Sequence, residues 1–154
     1  MGRDGKSHDR NIFQDVEYFK QVQGITLIVC LLNDSELRHL GLNVKDYKLA
    51  CQKSGIVLHQ HPIIEMAPPD NLEEFKANVV DVITAHISNG TGNVLVHCRG
   101  GVGRAGLVTC CVLSELCVFT DPRAIIEFVR RRRDKRCVES RKQEDFVAKY
   151  CDYN

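Results

Sequence analysis

Apolar positions along the chain follow two rhythms. In residues 11–22 they fall at Ile12, Phe13, Val16, Phe19 and Val22, near helical spacing, and Gly24 ends the run. Residues 25–32 (ITLIVCLL) form a continuous β-branched-rich run suited to a strand buried on both faces. Residues 43–53 read as a short helix closed near Gly55, residues 56–64 as a second strand, and residues 66–71 (MAPPDN) as a loop. Residues 72–88 form a long amphipathic pattern with Phe75, Val79, Val80, Ile83 and Ile87 on one stripe, stopped by Asn89-Gly90-Thr91-Gly92. Residues 93–97 (NVLVH) predict a third buried strand running into a glycine-rich turn, after which residues 107–119 read as helix. Asp121 and Pro122 mark another helix start, an acidic N-cap with proline in the first turn, and a last helix is expected over about 139–150. Strands separated by helices predict an α/β fold with a mostly parallel central sheet flanked by helices. No linker or repeat divides the chain, so residues 1–154 are expected to form a single domain.

Composition narrows the chemistry. With 21 Lys+Arg against 20 Asp+Glu, the net charge of +1 supplies no global field for nucleic acid or acidic membranes, so any anion preference must be local. Eight cysteines would suggest a disulfide scaffold in a secreted chain, but the polar start MGRDGKSH lacks an apolar signal segment. A reducing, intracellular setting follows, in which Cys110, Cys111 and Cys117 read as buried packing. No apolar run is long enough to span a membrane.

The turn after the third strand matches two motifs. Gly101, Gly103 and Gly106 satisfy G-x-G-x-x-G, and Asp121 lies where a dinucleotide-binding unit places its ribose acid. That fingerprint normally opens the first βαβ unit, whereas here it sits two-thirds along, and Asp121 is explained more simply as an N-cap. The other reading is His97-Cys98-x5-Arg104, a thiol at a strand end followed by an arginine at a helix start. The loop Arg99, Gly100, Gly101, Val102 and Gly103, rich in glycine, lets successive backbone N–H groups converge on one anion, and the helix adds its positive N-terminal dipole. Arg104 can clamp two phosphoryl oxygens. The same positive environment favours a thiolate, which makes Cys98 a candidate nucleophile beneath a phosphate cradle.

The sequence VHCRGGVGRAG resembles the signature loop of the cysteine-dependent protein phosphatases. With residues 24–30, SGIVLHQHPIIEMAPPD and ESRKQEDFVAKY, the chain is similar to the kinase-associated phosphatase (cyclin-dependent kinase inhibitor 3-like) group of dual-specificity phosphatases. That resemblance implies a protein tyrosine phosphatase-like fold and a phosphocysteine intermediate on Cys98, hydrolysed by water. It implies phosphorylated protein substrates, phosphotyrosine first and phosphoserine or phosphothreonine as further ones, with no cofactor or metal. It places a general acid in the loop after the second strand, where Glu65 stands in place of aspartate and Asp70 is the alternative, otherwise an N-cap for the next helix. His97 would orient the thiolate or loop, and Gln143 would help place the attacking water. Ala105 stands where most relatives carry a hydroxyl that helps the thiolate leave, which implies slow second-step hydrolysis. Cys30 is a redox partner for Cys98 on this resemblance, with core packing as the other reading.

His59 and His61 alternate on a strand without the further ligands zinc needs. Arg130 to Arg133 read as a solvated helix end, or as a nuclear address. The terminal Cys151-Asp-Tyr-Asn lacks the aliphatic pair of a prenylation box, so no membrane anchor is expected. The expected protein is a cytoplasmic monomer, with nuclear presence allowed, and no nucleic-acid partner. Relatives usually carry another strand before the segment resembling residues 9–22, so a trimmed domain is expected. A phosphoinositide or RNA 5′-phosphatase, or a phosphate-binding module with very slow turnover, remain the competing readings.

Overall fold

The computed structural model describes residues 11–100 and 102–153. Helix α1 (Ile12–Gln23) begins where the Asn11 side chain accepts the Phe13 N–H at 2.8 Å, and it ends at Gly24 in the left-handed conformation, φ 65°. Strand β1 (Ile25–Cys30) follows directly. Its apolar run divides by period two: Leu27, Val29 and Leu31 enter one core, while Ile28, Cys30 and Leu32 enter another. A strand covered on both faces has no polar side to show, which explains the unbroken run.

Helices α2 (Asp34–His39) and α3 (Val44–Ser54) lead to β2 (Val57–Gln60), parallel to β1. Helix α4 (Leu72–Phe75), a π-helical turn (Lys76–Val80) and α5 (Asp81–Ser88) form one continuous helical segment before β3 (Asn93–His97), which is also parallel to β1. The strand order is β2-β1-β3. Helices α6 (Gly103–Glu115), α7 (Pro122–Arg132) and α8 (Arg141–Tyr153) complete the order. Val16, Leu37, Tyr47, Ala50 and Cys51 pack with one face of β1, and Phe75, Val79, Ile83, Leu107, Ile125, Phe146 and Tyr150 with the other. The α/β layering expected from the sequence is therefore present, with helices on both faces of a parallel sheet.

Several expectations are corrected. Helix α2 is additional, and its start is a capping box in which Asn33 and Glu36 exchange side-chain and backbone hydrogen bonds. β3 is half-exposed rather than buried, because it occupies a sheet edge among the described residues. Ile87 is 44% exposed, since a single helical period carried through a π-turn loses phase. Helix α6 starts at Gly103 and stops at Glu115, which leaves Cys117 exposed, with φ 57°, instead of packed. Asp121 does cap α7, accepting the Ala124 N–H at 3.2 Å.

Candidate active site

Backbone ladders at the C-terminal ends of the strands bring the site together. Leu31 donates to the His97 carbonyl at 2.9 Å, and Ile63 donates to the Leu31 carbonyl at 3.0 Å. Cys98 thus emerges beside the loop of residues 61–71, in the crevice where parallel sheets place ligands. Gly100 has φ 128°, a backbone region that a Cβ would strain, and Arg99 and Gly100 are exposed. Gly101, a cradle candidate, lies outside the described residues. Val102 precedes α6 and no side chain caps that helix, so its first-turn N–H groups remain available to an anion.

Arg104 is only 3% exposed. Its Nη1 donates to the Ile63 carbonyl at 2.8 Å and pairs with the Glu36 carboxylate, 3.1 Å to Oε1 and 2.9 Å to Oε2. Both Nη1 hydrogens are thereby engaged. Nε and Nη2 have no partner among the described residues, and this edge is a fork that fits two oxygens of a phosphoryl group. Glu36 holds its place through the capping box, so the start of α2 presents the counter-ion. The sequence reading missed Glu36, although Asn-x-x-Glu before a helix was a legible signal.

His97 is held from both sides. The Tyr47 hydroxyl lies 2.7 Å from Nε2, and the ring also bonds to the Cys98 backbone. Burial pushes the Tyr47 phenol well above its ordinary range, so it stays the donor and Nε2 the acceptor. Burial likewise pushes the His97 pKa down, favouring the neutral ring. Nothing in the sequence pointed to Tyr47, which is fifty residues away in the chain. Cys30 pairs with His97 in the β1–β3 register, one residue from Cys98, and both cysteines adjoin the same apolar cluster. Both are free thiols, and burial pushes Cys30 up to about 11.

A turn at residues 137–140 lies directly on the start of α6. A Cβ at Gly103 would overlap the Glu139 carboxylate, and one at Gly106 would stand 2.9 Å from the Cys137 Cβ. These two glycines, part of the decoy fingerprint, are there for close approach of this turn. Gln143 is fully buried, and its Oε1 accepts the Glu139 N–H at 2.7 Å and the Ser140 N–H at 3.2 Å. Its Nε2 points to the Ala67 carbonyl at 3.5 Å, while Ser140 Oγ donates to the Met66 carbonyl at 2.8 Å. The Gln143 amide therefore ties the turn to the 61–71 loop. Arg130 is not a solvated helix end: it donates to the Cys137 and Val138 carbonyls, each at 2.8 Å, and pairs with Glu144 at 3.0 Å. Only Arg131, Arg132 and Arg133 of that run are exposed.

Glu65 and Asp70 are both exposed on the 61–71 loop. Asp70 is not the helix cap; Asn71 is, accepting the Glu74 N–H at 2.9 Å. Asp70 lines an open cleft of ≈ 330 Å³ with His61, Pro62, Ile63 and Glu74, and Glu65 stands outside that lining. His59 donates to the Asn78 carbonyl of the π-turn at 2.6 Å, and His61 lies beside Phe75. Among the described residues no three His, Cys, Asp or Glu are placed to hold a metal ion. No described helix is long and apolar enough to cross a membrane.

Known proteins resemble this chain in sequence and fold. Cyclin-dependent kinase inhibitor 3 of Homo sapiens is 29% identical over 144 residues, covering 93% of this chain and 65% of that protein, so the chain spans just under two thirds of this relative. The protein of the same name in Rattus norvegicus is also 29% identical over the same share of the chain. The crystal structure of kinase associated phosphatase, with its catalytic site cysteine substituted by serine, superposes with a TM-score of 0.82 at 26% identity, covering 94% of this chain and 78% of that one. Tk-PTP in its active form shares the fold, with a TM-score of 0.77 at 22% identity over 92% of this chain and 87% of that chain. The family model described as Swiss Army Knife protein, DSP-PTPase phosphatase domain, matches residues 8–147, and the chain belongs to this dual-specificity phosphatase family.

Proposed function

We propose that this chain hydrolyses phosphate monoesters on proteins, phosphotyrosine together with phosphoserine and phosphothreonine, through a phosphocysteine on Cys98. The observation that carries the reading is Arg104: a buried guanidinium anchored through Nη1, its Nε and Nη2 edge without a partner among the described residues, in the first turn of an uncapped helix six positions after the half-buried Cys98. In the first step the Cys98 sulfur attacks phosphorus, the bond to the leaving oxygen breaks, and that oxygen takes a proton from the 61–71 loop. The amides of residues 99–103 and Arg104 hold the phosphoryl oxygens as charge develops. Glu65 is assigned as the donor, by its place in the loop, with Asp70 as the alternative. The substituted catalytic cysteine of kinase associated phosphatase supports the choice of Cys98. The setting we propose is intracellular, and it accords with eight free thiols.

A second reading is favoured by one feature. Arg99 is exposed beside Cys98 and adds charge suited to a polyanionic ester such as a phosphoinositide. A panel of phosphopeptides, phosphoinositides and 5′-phosphorylated RNA, with Cys98→Ser as control, separates the two. Cys98→Ser is expected to abolish turnover of para-nitrophenyl phosphate and of the preferred substrate, and equal rates for variant and parent would sink the mechanism. Glu65→Gln is expected to slow esters of poor leaving groups far more than good ones. If Asp70→Asn shows that pattern instead, the assignment passes to Asp70.

A further inference from the structure

Glu139 has no part in the steps above, yet the turn carrying it is held by hydrogen bonds from several elements. Val138 adopts φ 59°, which a β-branched residue rarely takes. Such strain persists only where the surroundings over-determine it. Here Arg130 holds the Cys137 and Val138 carbonyls, the buried Gln143 amide takes the N–H groups of Glu139 and Ser140, and Ser140 is tied to Met66. The outcome of these ties is a single carboxylate resting on Gly103, where the missing side chain leaves room for it. Gly103 is the first residue of α6, so its neighbourhood is where a phosphoryl group would sit.

We propose that Glu139 is the base that activates the water in the second step, an inference that rests on the phosphatase reading. A proton passes from water to the Glu139 carboxylate as the water oxygen attacks phosphorus. The new P–O bond forms while the P–S bond breaks, and its electron pair returns to Cys98 as thiolate. Inorganic phosphate departs, and Glu139 gives its proton to solvent. The backbone amides and Arg104 can only donate hydrogen bonds to this reaction, so the acceptor is a carboxylate. Glu65, once it has given up its proton, is one on the exposed 61–71 loop, whereas Glu139 is held by its turn against the first residue of α6. Ala105 sharpens the need, because no hydroxyl follows Arg104 to assist the departing sulfur and water activation carries more of the step.

Rapid-mix kinetics of the full chain with para-nitrophenyl phosphate test this. Glu139→Gln keeps length and polarity but removes the proton acceptor. The first equivalent of nitrophenol should appear within about twofold of the parent rate, while steady turnover falls ~10²-fold, a general-base magnitude. Acid-quenched variant should carry a phosphoryl group on Cys98 by mass spectrometry, and Glu139→Ala should show the same split. Undiminished steady turnover in Glu139→Gln would overturn the proposal, as would a gain in turnover, which would make the carboxylate a mere repellent of phosphate. First and later turnovers slowing together would also overturn it, since the turn would then only hold the cradle. A parent that releases no nitrophenol, or no faster than Cys98→Ser, would instead remove the phosphatase reading itself.

Discussion

Single side chains in this protein are read through their partners. Cys98 and Arg104 are six positions apart on one turn, but what readies Arg104 is Glu36 and the Ile63 carbonyl, neither of them near in sequence. His97 likewise owes its state to Tyr47 and to burial. Burial lowers the pKa of His97 and also of His61, where His59 adds repulsion. The folded chain therefore binds fewer protons than the unfolded one as pH falls below the ordinary histidine value of about 6.5, and stability drops through that window. Urea midpoints should fall between about pH 7.5 and about pH 5.5, and a flat midpoint would mean that these rings are not held neutral by the fold. Tyr47→Phe leaves the buried Nε2 without its donor and is expected to cost ~1 to 3 kcal/mol at neutral pH, read from the same titrations.

At the scale of elements, short helices do more than connect strands. Helix α2 has six residues, yet its capping box fixes Glu36 against Arg104. Two substitutions divide these roles. Asn33→Ala removes the cap alone and should cost ~1 kcal/mol of stability with little effect on catalysis. Glu36→Gln removes the charge beside a nearly buried guanidinium and should destabilise by roughly 1 to 3 kcal/mol. Added inorganic phosphate should recover more stability for Glu36→Gln than for the parent, because the anion then supplies the missing counter-charge. Equal phosphate effects on both would show that Glu36 is not the partner that matters. The start of α6 follows the same logic: Gly103 and Gly106 admit the 137–140 turn to contact distance, and that contact brings Glu139 to the helix end.

The whole molecule sorts its eight thiols by burial. Burial pushes Cys30 and Cys51 up to about 11 and Cys110 up to about 12, and raises Cys111, Cys137 and Cys151 as well. Cys117 is exposed on the far end of α6, and Cys98 is half-buried at the sheet end. Brief treatment with iodoacetamide should therefore modify Cys98 and Cys117 first, and vanadate should shield Cys98 alone; early labelling of Cys110 or Cys111 by peptide mapping would contradict this burial order. The alternation of apolar runs and helical stripes determined the layered α/β order, and the Cys-x5-Arg spacing determined the cradle, because both are local patterns whose physics acts over a few residues. A uniform helical period could not reveal the π-turn in residues 76–80, nor could an apolar run say that β3 would lie at an edge. Arg130, read as one of a solvated run, became a tie for the 137–138 carbonyls, and Gln143 became a buried bracket between two loops. Glu36, Tyr47 and Glu139 meet the site only after the sheet and helices are packed, since each reaches it from a separate element and no spacing along the chain encodes such a meeting.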